Sequence, residues 1–262
     1  MRSILVDARR GPAGQVRIET ALALARHLDG HVRLVVDTPV DRYVAIDGMG
    51  GSVIAAEALR DAMADDDAFA ARLEDHIARE DVCCDVWRAD CEPVEALAAA
   101  ALLADVAIVS RADPLAADLP LATRTPVLAV NDDRVLQFPL AKVAVAWDGG
   151  TSAAHALRAS LPLLRSAGAV TVLVVENEDE AAAFPATEVA SYLARHGIAA
   201  ELRPLPRAGA IEATLAGALA SDPVDLLVIG AYGRGRLRAF LFGGVTEHFL
   251  SSRAAPALFL AH

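Results

Sequence analysis

Residues 230–247 read Gly-Ala-Tyr-Gly-Arg-Gly-Arg-Leu-Arg-Ala-Phe-Leu-Phe-Gly-Gly-Val-Thr-Glu, and the chemistry they offer is anion binding. Gly230 and Gly233 leave backbone amides open to a ligand, because no Cβ stands in the way. Gly243 and Gly244 precede a predicted helix over 245–250. The free amides and positive dipole end of such a helix attract phosphate. Arg234, Arg236 and Arg238 add positive charge to a chain of net charge −11. Val245 and Thr246 would form the first turn, where Thr246 brings a hydroxyl. A second feature is Asp148, which ends an apolar run before Gly149 and Gly150. Both features have plainer uses. Glycines at strand ends are often turns, Asp before Gly-Gly is a common turn former, and Thr151 or Ser152 would serve as a helix cap.

The elements that must position these residues occur twice. Ser3-Ile4-Leu5-Val6-Asp7 and Val143-Ala144-Val145-Ala146-Trp147-Asp148 are apolar runs ending in an acid, and Asp7 and Asp148 are 141 residues apart. Each is followed by glycines, a segment with helical apolar spacing, another glycine, and a second apolar strand (32–36 and 170–175). Predicted helices over 52–79 and 186–196 precede strands over 82–88 and 199–204. Val94-Glu95-Ala96 and Ile211-Glu212-Ala213 then open alanine-rich helices. Asp105-Val106-Ala107-Ile108-Val109 mirrors Asp225-Leu226-Leu227-Val228-Ile229, and the strand after Pro126 mirrors the one after Pro256. A repeat of half the chain means duplicated domains, expected at 1–136 and 137–262 with a linker over 131–141. Continuous Val/Ile/Leu strands alternating with helices imply parallel sheets covered on both faces. The expected fold is α/β: two doubly wound parallel five-stranded sheets in tandem, whose ligands sit beyond the strand carboxyl ends where strand order reverses.

The spacing Gly230, two residues, Gly233, nine residues, Gly243 resembles the signature of the nucleotide-binding universal stress proteins, and the resemblance covers both halves. It implies the adenine nucleotide alpha-hydrolase-like fold and a stress-response or signalling module that binds ATP or AMP, with Mg beside the phosphates. Single domains of that family pair edge to edge through their last strand, so the resemblance also implies that 127–130 pairs with 257–260 inside this chain, an intramolecular pseudo-dimer that covers two exposed edges. The glycine loop, with Gly230, Gly233, Arg234, Gly243, Gly244, Val245 and Thr246, would hold phosphate and ribose. Asp148 would lie beside the adenine, the segment 172–175 with Val174 would line its pocket, and 206–209 with Gly209 would meet the ribose. Gly244 stands where the family has Ser or Thr, so one phosphate-facing hydroxyl is missing while its amide remains.

The first half lacks this loop. Sixteen residues separate Val109 from Pro126, against 26 between Ile229 and Pro256. Ser110-Arg111-Ala112-Asp113-Pro114 has no glycine, Pro114 removes an amide, and Asp113 and Asp118 would repel phosphate. This half reads as a degenerate partner, and the glycine-containing stretch 41–51 as a surface connection or a lid over a pocket.

Composition narrows the alternatives. At 262 residues and 55% hydrophobic, the chain can bury a large core. Its acidic balance disfavours general nucleic-acid binding. No apolar run reaches the roughly 18 residues of a membrane span, and 1–10 lack the apolar core of a secretory signal, so a cytoplasmic location is expected. Cys83, Cys84 and Cys91 read as buried free thiols. No metal-ligand, nucleophile-elbow or Walker pattern occurs, and slow ATP hydrolysis is the most catalysis the sequence suggests. His248, alone near the loop, reads as structural. A nucleotide-free scaffold of the same fold, with protein partners or as a homodimer, is the competing reading; a nucleotide-dependent transferase is a weaker third.

Overall fold

A computed structural model describes residues 1–38, 52–176, 184–231 and 244–262. Gly233, Arg234, Gly243 and the stretch 41–51 lie outside them. Ten strands form one sheet. The first half supplies β1 (Ser3–Asp7), β2 (His31–Asp37), β3 (Cys83–Ala89), β4 (Val106–Ser110) and β5 (Val127–Val130). The second supplies β6 (Lys142–Ala146), β7 (Ala169–Val175), β8 (Ala200–Leu205), β9 (Leu226–Gly230) and β10 (Ala257–Ala261). Their order is β3-β2-β1-β4-β5-β10-β9-β6-β7-β8. Pairing is parallel within each half and antiparallel only at the joint, where Val127, Leu128 and Ala129 face Leu260, Phe259 and Leu258. The two five-stranded sheets thus fuse edge to edge into one.

Helices cover both faces. On one face lie α1 (Pro12–Leu28), α2 (Ser52–Ile77), α5 (Thr151–Leu164) and α6 (Ala186–Arg195). On the other lie α3 (Pro93–Ala100), α4 (Leu115–Ala122), α7 (Ile211–Ser221) and α8 (Gly244–Ser251). The strand alternation explains the two cores. Ile4, Val6, Leu128 and Phe259 point into the first layer; Leu5, Val127, Ala129, Leu258 and Leu260 point into the second. Because both faces are covered, these strands read as continuous apolar runs rather than alternating ones. Each core layer contains residues of both halves. Strand direction reverses across the joint while each helix keeps its face, which is the relation of a two-fold axis normal to the sheet.

Repeated acids do repeated work. The Asp105 carboxylate accepts bonds from the Arg2 and Ser3 amides at the start of β1. Asp225 accepts from the Ala141 and Lys142 amides, at 2.7 and 3.0 Å, at the start of β6.

Three expectations need correction. The cysteines form no disulfide among the described residues but are not fully buried: Cys83 is exposed and Cys84 half-buried, because β3 is an outer strand with partly covered faces, and Cys91, past the end of that strand, is half-buried too. Burial pushes the Cys84 thiol up to about 11. Neither Thr151 nor Ser152 caps α5; Gly150 holds the N-cap position without a side-chain bond. The run through Asp148 stops being a strand at Ala146.

Phe259 lies fully buried on β10 at the joint. Phe259→Ala should cost roughly 3–5 kcal/mol, the usual range for a large aromatic truncated in a packed core. Chemical denaturation checks this; a loss below about 1 kcal/mol would mean that the joint is not tightly packed.

Candidate functional site

In each half the first strand lies between its second and fourth, so strand order reverses beside it. The crevice at the carboxyl ends of β6 and β9 is therefore the second half's natural ligand position, and that of β1 and β4 the first half's. The antiparallel joint sends these two crevices to opposite ends of the sheet.

At the second crevice the chain leaves β6 through a turn closed by Asp148. Its Oδ1 accepts the Gly150 amide at 2.8 Å, Gly149 has φ +71°, and the side chain is exposed. Beside it, Trp147 is buried and donates its indole N–H to the Phe184 carbonyl at 2.9 Å. Val174 is half-buried on β7, opposite Pro204 of β8. Gly209 has φ +84°, and its carbonyl accepts from Arg207 Nε at 2.9 Å. No atom lies within 4 Å of where its Cβ would stand.

Gly230 ends β9, next to β6. A Cβ there would stand 2.4 Å from the Ala153 nitrogen and 2.6 Å from the Ser152 carbonyl carbon. This glycine therefore lets the chain's own helix α5 press onto the strand end. Gly244 is the first residue of α8, and its Cβ would be 3.4 Å from Glu212 Oε2, an ordinary contact. Val245 is half-buried against the second core layer, and Thr246 is 3% exposed, facing inward.

The structure thus brings Asp148, Val174 and Gly230 to one end of adjacent strands. Glu212, in the first turn of α7, is the site neighbour that sequence reasoning passed over. The only signal for it was its matching place in the repeat beside Glu95.

The equivalent crevice of the first half is filled by its own cations. Asp7 is 1% exposed. Arg9 forks onto it, with Nε 2.9 Å from Oδ1 and Nη2 2.8 Å from Oδ2, and the same Nη2 donates to Asp113 Oδ2 at 2.7 Å. Buried Arg17 adds Nη2 at 3.3 Å from Asp7 Oδ2, and its Nε donates to the Asp7 carbonyl at 2.8 Å. Gly14 admits this loop: a Cβ there would stand 2.0 Å from the Arg9 carbonyl oxygen. Burial works against the Arg9 cation, but bonds and charge from Asp7 and then Asp113 outweigh it and raise its pKa further.

Nearby Asp37, the last residue of β2, is 7% exposed, and its Oδ1 has no hydrogen-bond partner among the described residues. Burial pushes its carboxyl up to about 6; Arg9 opposes this, while Asp7 and Asp66 add to it. The unfolded carboxyl titrates near 3.9. The stability Asp37 contributes is therefore complete below about pH 4 and is lost as pH rises through about 6. Asp37→Asn should make the protein more stable than the parent at pH 7.5, with the advantage shrinking towards pH 4. Denaturant melts across that range test this; an equal difference at every pH would contradict it.

No family model matches the sequence, and no curated protein matches it. Solved structures do match. A universal stress protein from Archaeoglobus fulgidus aligns over 99% of this chain and 96% of its own, with a TM-score of 0.62 at 13% identity. A functionally unknown protein from Pseudomonas aeruginosa aligns over 100% of this chain and 92% of its own, with a TM-score of 0.58 at 16% identity. At such identities the likeness is one of fold, and over its whole length the chain has the fold of a universal stress protein.

Proposed function

We propose that this chain is a tandem universal stress protein whose second half, 137–262, binds one adenine nucleotide, ATP or AMP, in a signalling or stress-response role. The observation that carries the reading is the contrast between two matching acids. Asp7 is buried beneath Arg9 and Arg17, so the first crevice is closed by its own ion pairs. Asp148 is exposed at an equivalent strand end and spends one oxygen on its own turn. The other features a nucleotide would use follow the carboxyl ends of strands in the same half: the strand end at Gly230, the exposed Gly209 after β8, and the start of α8 after β9.

Gly244 suits the phosphate end, since a glycine at the first position of α8 puts no side chain beside the helix amides. Glu212 adds a carboxylate beside that end, which favours a nucleotide bringing its own divalent cation. Mg would supply positive charge between Glu212 and the phosphates, as carboxylates and phosphates commonly share it. The chain's own part is binding and orientation. Without such a cation the Glu212 carboxylate would repel phosphate, and together with the hydroxyl missing at Gly244 this is what speaks for the competing reading, a scaffold that binds no nucleotide.

Calorimetric titration with ATP and Mg should give one site per chain. Gly244→Ser, whose Cβ meets only ordinary contacts, should tighten binding by up to about tenfold through one added hydrogen bond. Two equivalent sites would overturn the closed first crevice, and no binding at millimolar ATP would establish the scaffold reading instead.

A further inference from the structure

Arg111 follows β4 in the first half, is 9% exposed, and reaches across the joint. Its Nη1 donates to the carbonyls of Phe249 and Leu250, each at 3.0 Å, and of Ser252 at 2.6 Å. The first two carbonyls belong to the last turn of α8, where a helix leaves its acceptors unpaired, while that of Ser252 lies just past the helix and also accepts from the Ala255 amide at 3.2 Å. Arg111 Nε donates to Asn131 Oδ1 at 2.7 Å, and the Arg111 amide donates to the Val130 carbonyl at 2.8 Å, so the side chain leaves a fixed backbone in a fixed direction. Burial lowers the pKa of this guanidinium, while Asp132 and Asp133 act on it by charge from a distance. The negative dipole end of α8 and its free carbonyls are the counter-charge in direct contact.

A buried cation spent on another half's helix end needs a reason, and the geometry of α8 gives one. Its eight residues span about 10 Å, from the carbonyls that Arg111 holds to Gly244 at the other end. A helix this short moves as a body. We propose that Arg111 is a positioning residue: from the first half it fixes α8, and through α8 it sets the place of Gly244 at the second half's ligand end. This rests on the nucleotide reading for its consequence but not for its mechanics. It also gives the first half a task. The turn that carries Arg111 is tied back by Asp113 to Arg9 and so to Asp7. The ion pairs closing the first crevice are thus continuous with the contact that holds α8. Linkage then requires that a ligand favouring the held position of α8 tighten the contact across the joint by the same factor.

The test uses the full chain with Arg111→Met, which keeps the side chain's bulk and removes its charge and donors, and Arg111→Lys, which returns a cation. Amide exchange is read over 248–252, and ATP with Mg is titrated in parallel. Arg111→Met should speed exchange in that segment by about tenfold, as for a lost helix-end cap, and weaken ATP binding about three- to tenfold. Arg111→Lys should restore most of both. Should Arg111→Met fail to fold, Asn131→Ala, which removes the Nε acceptor together with a long 3.5 Å bond from Asn131 Nδ2 to the Ala255 carbonyl, should give the same two changes at about two- to fourfold. Unchanged exchange over 248–252 overturns the proposal. So does faster exchange with unaltered ATP affinity. If the parent chain binds no ATP, the nucleotide reading fails instead, and the exchange result alone decides whether Arg111 holds α8.

Discussion

Strands β5 and β10 are apolar and buried throughout, and each would end its half as a bare edge. An edge of that kind offers a row of unpaired amides and carbonyls and pairs with whatever strand it meets. Here the two edges meet each other. The antiparallel register of 127–129 against 258–260 satisfies both, makes the core layers continuous on each face, and reverses strand direction halfway along the sheet. The reversal has a further effect. It sets the carboxyl end of the first half beside the far ends of the second half's helices, which is why a residue after β4 can reach the last turn of α8.

The two crevices share one topology and differ in how charge is settled. A buried carboxylate needs a partner, and Asp7 has two arginines from its own half, one directly after β1 and one on α1. Nearby Asp37 has one carboxylate oxygen without a hydrogen-bond partner among the described residues, and burial holds its proton into the mildly acidic range against the opposing charge of Arg9. In the second half no arginine is paired with Asp148 among the described residues; the carboxylate stays in solvent and closes a turn. One strand end is therefore closed by internal ion pairs, and at the other the carboxylate is turned to solvent.

Much of the architecture was legible because strands covered on both faces leave continuous apolar runs, and these recur in the same order with Asp105 and Asp225 at matching places. Strand limits moved by a residue or two, as at Asp148, where hydropathy does not reveal the end of pairing. The joint was anticipated from the edge-to-edge pairing that the family resemblance implies, which covers two apolar strand edges. What remained hidden depends on contacts between distant residues. Nothing in the spacing of Asp7, Arg9 and Arg17 tells that all three meet in one buried cluster, and nothing marks Arg111 as a helix-end partner 138 residues from Phe249. Gly230 was read as an opening for a ligand, and helix α5 lies against it. Thr246 was read as an available hydroxyl, and the helix turns it inward. Glu212 carries no local signature; it enters the site only because α7 and α8 lie side by side.

The account stands on one end of the sheet being open to a nucleotide and the other being closed. Backbone amide shifts recorded during titration with ATP and Mg measure both ends in one experiment. The account predicts shifts at Asp148, Val174, Gly209, Gly230 and Gly244 through Thr246, with Asp7, Arg9 and Arg17 left in place. Shifts centred on Asp7 and Arg9, or none at either end at millimolar nucleotide, would contradict it.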